Sequence, residues 1–323
     1  EKTIKKIMQA GLSSAQEALE QNLIDTLGYR TDVEKRFTDN SKTLKEYQGI
    51  DIINYLAATK DDYNPNGEKR VAILEVSGMI TSGHSNNYRG IAGGTTIASN
   101  LKKIREDKEI NGVILRVNSP GGSAVGSDMV WKEVQLLEES GKPVIVSMSG
   151  VAGSGGYYIS MAAQHIVSQP STITGSIGVI FGTFNIKELY QKLGITVDQI
   201  KLSPNADILS PFHSLTLQQR KDITSWMEFI YQTFVKKAAQ GRNQNKDQLE
   251  LKARGRIYTG SPAQKIGLVD ELGGLQVAID RMKETLNIDP KGEIKLFLYP
   301  EPKTIWESLA SGNFLQRTTP SLT

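Results

Sequence analysis

The segment PVIVSMSGVAGSGGYYISMAA, at residues 143–163, decides the fold. It opens with a short, nearly continuous apolar run at 143–148, passes through a glycine-rich turn, and ends in the helix-like residues 157–163. Apolar runs of this length are typical of strands that are covered on both faces, as in parallel sheets. The segment therefore predicts a buried strand that leads through a tight turn directly into a helix.

Two further apolar runs, at 71–76 and 112–117, have the same character, and helical patterns at 97–105 and 127–139 separate the three runs. Alternating strands and helices imply an α/β fold with right-handed crossovers. Two later stripes have apolar residues at helical spacing, and we predict that both face the core. The stripes are Ile223, Trp226, Met227, Ile230 and Phe234, and Leu275, Ala278, Ile279, Met282 and Leu286.

Two glycine clusters, NSPGGS at 118–123 and GVAGSGG at 150–156, directly follow predicted strands. The carboxyl ends of parallel strands are where α/β folds open their ligand crevices. Taken alone, the first cluster is also compatible with a plain turn and the second with a close helix–sheet contact. Neither ends in Gly-Lys-Ser/Thr, and no Gly-x-Gly-x-x-Gly follows the first strand, so the sequence does not indicate nucleotide binding.

Ser154 lies between the glycines of the second cluster, just before the predicted helix. Glycine lets backbone N–H groups approach a substrate closely, as an oxyanion hole requires. The positive end of the helix dipole would favour a negative charge that develops there. Ser154 is therefore the candidate nucleophile for acyl transfer.

The composition limits the possible partners and chemistry. The 323 residues include 38 Lys and Arg against 35 Asp and Glu, for a net charge of +3. This balance indicates no nucleic-acid partner. The absence of cysteine excludes disulfides, thiol catalysis and cysteine-ligated zinc, and we expect no cofactor or metal. No window approaches the roughly 18 consecutive apolar residues of a membrane span, so we expect the chain itself to be soluble.

An internal echo suggests a tandem repeat. Residues 18–28 match residues 263–273 without a gap, keeping Ala, Leu, Asp, Leu and Gly in register. The expected domain organisation follows from this echo. Residues 1–37 would be the tail of a preceding repeat that is missing, 38–67 a polar linker, 68–290 one complete repeat, and 291–323 a C-terminal extension.

Three successive segments, at 119–122, 152–160 and 174–179, resemble the signatures of the signal peptide peptidase A (protease IV) family, peptidase family S49. The resemblance covers about 70–290. It implies a ClpP/crotonase-like fold, a spiral of βαβ units with a mostly parallel sheet. It also implies a serine endopeptidase that degrades cleaved signal peptides and other apolar peptides.

The resemblance also assigns roles to individual residues. Ser154 would attack the peptide carbonyl, and the backbone N–H groups of Gly155 and of Gly121 or Gly122 would form the oxyanion hole. An extended peptide would add by β-pairing along residues 178–181. The family forms homo-oligomeric rings, is attached to the bacterial inner membrane by an upstream anchor, and faces the periplasmic or exterior side.

The sequence offers no clear candidate for the general base that would activate Ser154. The histidines His84, His165 and His213 show no obvious relation to Ser154. The family uses a lysine instead, which in single-repeat members immediately precedes an Asp-Ile motif, where this chain has Ala206. Lys201 is a poor substitute because the strand direction would point it elsewhere. In tandem-repeat members the lysine comes from the N-terminal repeat, so we expect it upstream of this chain.

Three other interpretations remain open at this stage. The chain could be a non-catalytic ring-assembly module whose active site has decayed, as Ala206 would suggest. It could be a crotonase-like acyl-CoA enzyme, which would share the backbone oxyanion hole without needing Ser154. It could also be an α/β-hydrolase esterase that uses Ser154, Asp207 and His213 in that chain order.

Overall fold

The three apolar runs form neighbouring parallel strands in the computed structural model of the protein. The structure describes residues 15–27, 32, 36, 67–86, 89–201 and 205–300. The chain divides into two units, Glu1–Tyr63 and Asn64–Thr323, and the candidate site belongs to the second. The predicted linker at 38–67 lies almost wholly outside the described residues.

Most of the described strands and helices belong to the second unit. The strands are β1 (Arg70–Ser77), β2 (Met79–Thr81), β3 (Ile91–Gly93), β4 (Ile110–Ser119), β5 (Val144–Gly153), β6 (His165–Ser168), β7 (Ile173–Gly175), β8 (Ile257–Thr259), β9 (Glu271–Leu272) and β10 (Lys295–Tyr299). The helices are α1 (Ala15–Glu20), in the first unit, and then α2 (Gly94–Glu106), α3 (Ala124–Glu139), α4 (Gly155–Ser160), α5 (Lys187–Lys192), α6 (Leu217–Gly241), α7 (Lys246–Lys252), α8 (Gly260–Lys265) and α9 (Leu275–Thr285).

One mostly parallel sheet organises the second unit. Its strand order is β10-β1-β4-β5-β6-β9, and β7 branches from β5 to pair with β8. Among the described strands only the β7–β8 pairing is antiparallel, and β2 and β3 form a separate parallel pair. The predicted α/β architecture with a mostly parallel sheet is confirmed.

Apolar side chains cover both faces of the central strands. Leu115 and Val146 belong to the larger core, with side chains of α2, α3, α4 and α6, whereas their neighbours Ile114 and Ile145 belong to a smaller core with α9. All four are fully buried. Because successive side chains of a strand point to opposite faces, a strand with two covered faces needs a continuous apolar run.

The two apolar stripes have different outcomes. The stripe on α9 packs into the smaller core, as predicted, with Ala278 and Met282 fully buried. The prediction for the stripe on α6 is only half correct, because Phe234 is buried while Trp226 is 55% exposed. Only the C-terminal half of α6 packs on the core, and its N-terminal half borders an open cleft.

Strand β5 pairs with two different strands along its length, and the second pairing determines where the strand ends. Residues 145–148 pair with β6, whereas residues 151–153 pair with β7. The last residues of β5 are therefore paired with β7 and no longer with β6. The turn into α4 begins where the pairing with β7 ends. This turn contains Ser154.

The echoed segments have the same local hydrogen bonding. In the first unit the Leu23 N–H donates to the Ala18 carbonyl oxygen at 2.9 Å, and the equivalent bond 245 residues later, at the end of α8, also measures 2.9 Å. The residue before each leucine has a positive φ, 56° at Asn22 and 77° at Gly267. The two segments thus end a helix by the same left-handed turn.

Part of the predicted C-terminal extension, 291–323, joins the main sheet. Residues 295–299 form β10, which pairs in parallel with β1 at the edge of the sheet. Across the part of the chain that the structure describes, no helix combines the length and the apolar character that a membrane crossing requires.

Candidate active site

Ser154 occupies a strained turn between β5 and α4. Its backbone has φ 50° and ψ −118°, and its N–H donates to the Gly175 carbonyl oxygen at 2.9 Å. The residue is partly exposed, and its hydroxyl makes no hydrogen bond within the described residues. The turn thus presents an uncommitted hydroxyl directly before a helix N-terminus.

The backbone amide nitrogens of Gly122 and Gly155 lie in two turns that approach closely beside Ser154. A Cβ built on Gly155 would lie 3.1 Å from the Gly122 nitrogen, and one built on Gly121 would lie 2.5 Å from the Gly155 nitrogen. Glycine is therefore needed at both positions for the two turns to approach this closely. Among the described residues, neither the Gly122 N–H nor the Gly155 N–H has an acceptor.

The two sequence candidates for the second oxyanion donor differ in this structure. The Gly121 N–H donates to the hydroxyl of the fully buried Ser119 at 3.2 Å, so its hydrogen is already engaged. The Gly122 N–H has no such partner in the described chain. An arriving anion would therefore find free donors at Gly122 and Gly155.

The hydroxyl and the amides border a cleft of about 820 Å³. Ser154, Gly121 and Gly122 line it, and α6 contributes residues of its first and middle turns, Met227 and Tyr231 among them. The volume is in the range of ligand-binding clefts, roughly 300–1,000 Å³.

Backbone strain concentrates around this cleft. Ser154 (φ 50°), Ser176 (φ 50°) and Arg254 (φ 58°) have left-handed conformations, and all three line the cleft. Such conformations cost about 1–3 kcal/mol each in non-glycine residues, and they persist where the surrounding structure enforces them. Clustered strain of this kind is typical of functional sites.

The histidines are engaged elsewhere. His84 contacts the Thr96 hydroxyl at 3.5 Å, and His165 pairs with Glu271 at 3.1 Å. His213 lies 3.0 Å from the Asp207 carboxylate, and its other ring nitrogen lies 2.9 Å from a backbone carbonyl oxygen. Within the described residues, none of the three is hydrogen-bonded to Ser154.

Lys201 also has a partner of its own. Its ammonium donates to the Asp207 carboxylate at 2.9 Å. This hydrogen bond is the largest influence on Asp207 and, with the nearby His213, lowers the pKa of that carboxyl. Ala206, where the family motif has lysine, is exposed. In the described chain, no lysine is hydrogen-bonded to Ser154.

Residues 178–181 belong to no helix or strand, and most of them border the cleft. Gly178, Val179 and Ile180 line it, and Ile180 is 96% exposed. One flank is held where the Gly255 N–H donates to the Ile177 carbonyl oxygen at 2.8 Å. The segment has no strand partner within the described residues.

Ser176, in the third signature, is a cleft residue for which the sequence alone predicted no role. Ser176 lines the cleft together with Ser154. The Ser154 N–H donates a hydrogen bond to the carbonyl oxygen of Gly175, the residue before Ser176. Its hydroxyl makes no hydrogen bond in the described residues. The signal available in the sequence was its place between glycines, in a segment that ends a short strand.

Comparison of the sequence with known proteins relates the chain to one family. The model of peptidase family S49 matches residues 137–289, which include the Ser154 turn. Protease 4 of Salmonella typhi is 36% identical over 283 residues, which cover 86% of this chain and 44% of that protein. The chloroplastic serine protease SPPA of Arabidopsis thaliana is 34% identical, over 96% of this chain and 45% of its own length.

A shorter relative matches over most of its own length. The Synechocystis sp. protein slr0021, provisionally named a protease, is 32% identical over 78% of this chain and 86% of that protein. By contrast, the chain spans less than half the length of the Salmonella and Arabidopsis relatives. From the match to slr0021 and the family model, this chain belongs to peptidase family S49.

Proposed function

We propose that this chain carries the nucleophile and the oxyanion hole of a serine peptidase. Ser154 attacks the peptide carbonyl, and the N–H groups of Gly122 and Gly155 stabilise the resulting oxyanion. Two amide donors without acceptors beside a free hydroxyl carry this proposal. A pair of such donors is the feature that acyl transfer requires, because negative charge develops on the carbonyl oxygen.

The general base of this proposal is a lysine from a companion repeat that precedes the chain. The described lysines make no hydrogen bond to Ser154, and Lys201 is paired with Asp207. The shared helix-terminating turn at Asn22 and Gly267 supports a duplicated unit. The chain also spans only 44% of Protease 4, which leaves room for a second repeat in a protein of that kind.

The substrates we propose are extended, apolar peptides, such as cleaved signal peptides. Residues 178–180 line the cleft and have no strand partner among the described residues, and a peptide would bind along residues 178–181 by β-pairing. Apolar side chains, Met79, Val179 and Met227 among them, line the same cleft. Such a site would accept many apolar sequences, because the backbone supplies most of the hydrogen bonds.

The assembly we propose is a homo-oligomeric ring, held by an upstream anchor on the exterior side of a bacterial inner membrane. Several apolar side chains are strongly exposed, among them Ile180 of the cleft lining at 96% and Phe184 at 84%. Large exposed apolar residues mark surfaces that contact other proteins. A ring would cover them and restrict access to the cleft.

Labelling by a serine-directed fluorophosphonate probe tests the assignment of Ser154. In the full-length protein we expect labelling of the wild type, and of the control Ser140→Ala, whose serine is exposed on another helix end. Ser154→Ala should not be labelled. Retained labelling of Ser154→Ala would remove this residue from the role.

A second experiment tests the position of the base. The isolated chain should hydrolyse peptide substrates poorly and recover activity when the companion repeat is added. Full activity of the isolated chain would refute an upstream base. Absence of labelling and hydrolysis in the full-length protein would instead favour a non-catalytic assembly module.

A further inference from the structure

The largely buried ammonium of Lys237 is held by the half-exposed carboxylate of Asp128, whose side chain is 48% exposed, and by two aromatic rings. The Lys237 ammonium pairs with the Asp128 carboxylate and lies 3.6 Å from the centroid of the Trp131 ring. The Tyr158 hydroxyl donates to the same Asp128 oxygen at 2.6 Å. The lysine side chain is only 18% exposed, and Tyr158 is 5% exposed.

The cluster of these side chains joins the three elements that build the cleft. Asp128 is on α3, which begins just after Gly122, and Tyr158 is on α4, one helical turn after Ser154. Lys237 is on α6, between one and two turns beyond Tyr231, which lines the cleft. One ammonium and one carboxylate thus connect the helices that follow Gly122 and Ser154 to the helix that lines the cleft with them.

Few other polar contacts could replace this connection. The Trp131 indole N–H is buried and has no acceptor within the described residues. Tyr158 otherwise packs through its ring, edge-on to Trp131 at 6.4 Å and tilted against Phe234 at 4.6 Å. Burial, and then the hydrogen bond to Asp128, raises the pKa of Tyr158, so the phenol remains a donor at neutral pH. Aromatic contacts alone would let the helices α3, α4 and α6 slide past one another. The ion pair and the hydrogen bond from the phenol fix the positions of these helices relative to one another.

We propose that Lys237 is a positioning residue, which acts through Asp128 and Tyr158 to hold the cleft wall of α6 at a fixed distance from the Gly122 and Gly155 amides. The inference rests on the proposed function for its kinetic consequence. Its structural consequence, a looser α4, does not depend on activity. Without Lys237 the three elements keep their apolar packing and lose the polar contact that sets their spacing.

Steady-state kinetics of the full-length protein on a fluorogenic apolar peptide provide the first test. Lys237→Met keeps a long apolar side chain over the rings and removes the charge. We expect kcat to fall by about tenfold or more and KM to change by less than about twofold, because small displacements of catalytic groups mainly affect the reacting geometry. Lys237→Arg should recover most of the lost kcat, since arginine also pairs with a carboxylate and stacks on aromatic rings.

The arginine variant also separates positioning from proton transfer. Arginine stays protonated in proteins and does not act as a general base, so rescue by Lys237→Arg is incompatible with Lys237 as the base. The matched control is Glu133→Gln, which removes the partner of Arg105 in another ion pair of α3. This control should leave kcat unchanged. Equal kcat in the wild type and Lys237→Met would overturn the proposal.

Hydrogen–deuterium exchange gives a result even if the protein proves inactive. Lys237→Met should accelerate exchange in peptides covering 155–161, and Glu133→Gln should not. Unchanged exchange in Lys237→Met would overturn the proposal by itself. Absence of hydrolysis in the wild type, with accelerated exchange in Lys237→Met, would overturn the proposed function and keep the positioning role.

Discussion

The Ser127 hydroxyl oxygen stands 2.5 Å from the point that a Cβ on Gly155 would occupy. Ser127 is fully buried and is held by a hydrogen bond from its hydroxyl to the Ser123 carbonyl oxygen at 2.9 Å. It therefore has little room to move. A side chain at position 155 would push α4 away from the turn that contains Gly122.

Gly155→Ala should consequently impair acylation far more than folding. Displacing one oxyanion donor typically costs about 10²–10³ in rate, and we expect a loss of that size in the fluorophosphonate labelling rate of the full-length protein. Gly83→Ala is the matched control, because a Cβ at Gly83 would meet open space. Labelling of Gly155→Ala at the wild-type rate would argue against Gly155 as a donor.

Ser176→Ala should slow peptide hydrolysis without preventing it. The Ser176 hydroxyl has no hydrogen-bond partner in the described residues and borders the cleft with Ser154, so it can bond to a group that enters there. A single hydrogen bond contributes about 1 kcal/mol, which corresponds to roughly a fivefold decrease in kcat/KM. A variant with unchanged kcat/KM would show that this hydroxyl has no part in the reaction.

His213→Ala distinguishes the family mechanism from an esterase triad. His213 contacts Asp207, but neither residue lines the cleft that contains Ser154. We therefore expect unchanged labelling of Ser154. The thermal midpoint should fall, since Asp207 loses one of its partners while keeping Lys201. Loss of labelling in a variant that circular dichroism shows to be folded would instead support the triad.

Glu138→Gln should make stability less dependent on pH. The Glu138 carboxylate accepts from the Val144 and Gln164 N–H groups at 2.9 and 2.8 Å, yet burial outweighs these bonds and raises its pKa above 4.5. The folded wild type therefore binds the proton more tightly than the unfolded chain, and loses stability as the pH rises from 4.5 through the raised value.

The glutamine variant has no charge to bury and can still accept through its carbonyl oxygen. Urea unfolding at pH 4.5 and pH 7.5 checks the sign. The stability of Glu138→Gln relative to the wild type should be higher at pH 7.5 than at pH 4.5. The opposite order would mean that the two amide hydrogen bonds dominate over burial.

Local patterns predicted the central architecture because they depend on near neighbours in sequence. The continuous apolar run at 143–148 predicted a strand covered on both faces, and Ile145 and Val146 do enter opposite cores. The glycines around Ser154 likewise indicated a tight strand-to-helix turn. In each case the same few residues determine both the pattern and the structure.

The rest depends on contacts between distant segments. Lys237 and Asp128 meet although 109 positions separate them, and nothing in either local sequence indicates the other. Periodicity on α6 showed which side chains are apolar, but could not show that Trp226 extends past the core. The connections between strands determine which end of a helix lies at the cleft. The Lys237–Asp128 pair and the exposure of Trp226 could therefore be found only in the three-dimensional structure.

The left-handed backbone at Ser154 has a consequence for the evolution of the chain. Glycine adopts φ 50° without a steric penalty, so Ser154→Gly would relieve a strain of about 1–3 kcal/mol and should raise the melting temperature. The fold by itself would thus favour glycine at this position. A serine there indicates that selection has favoured the hydroxyl over the gain in stability.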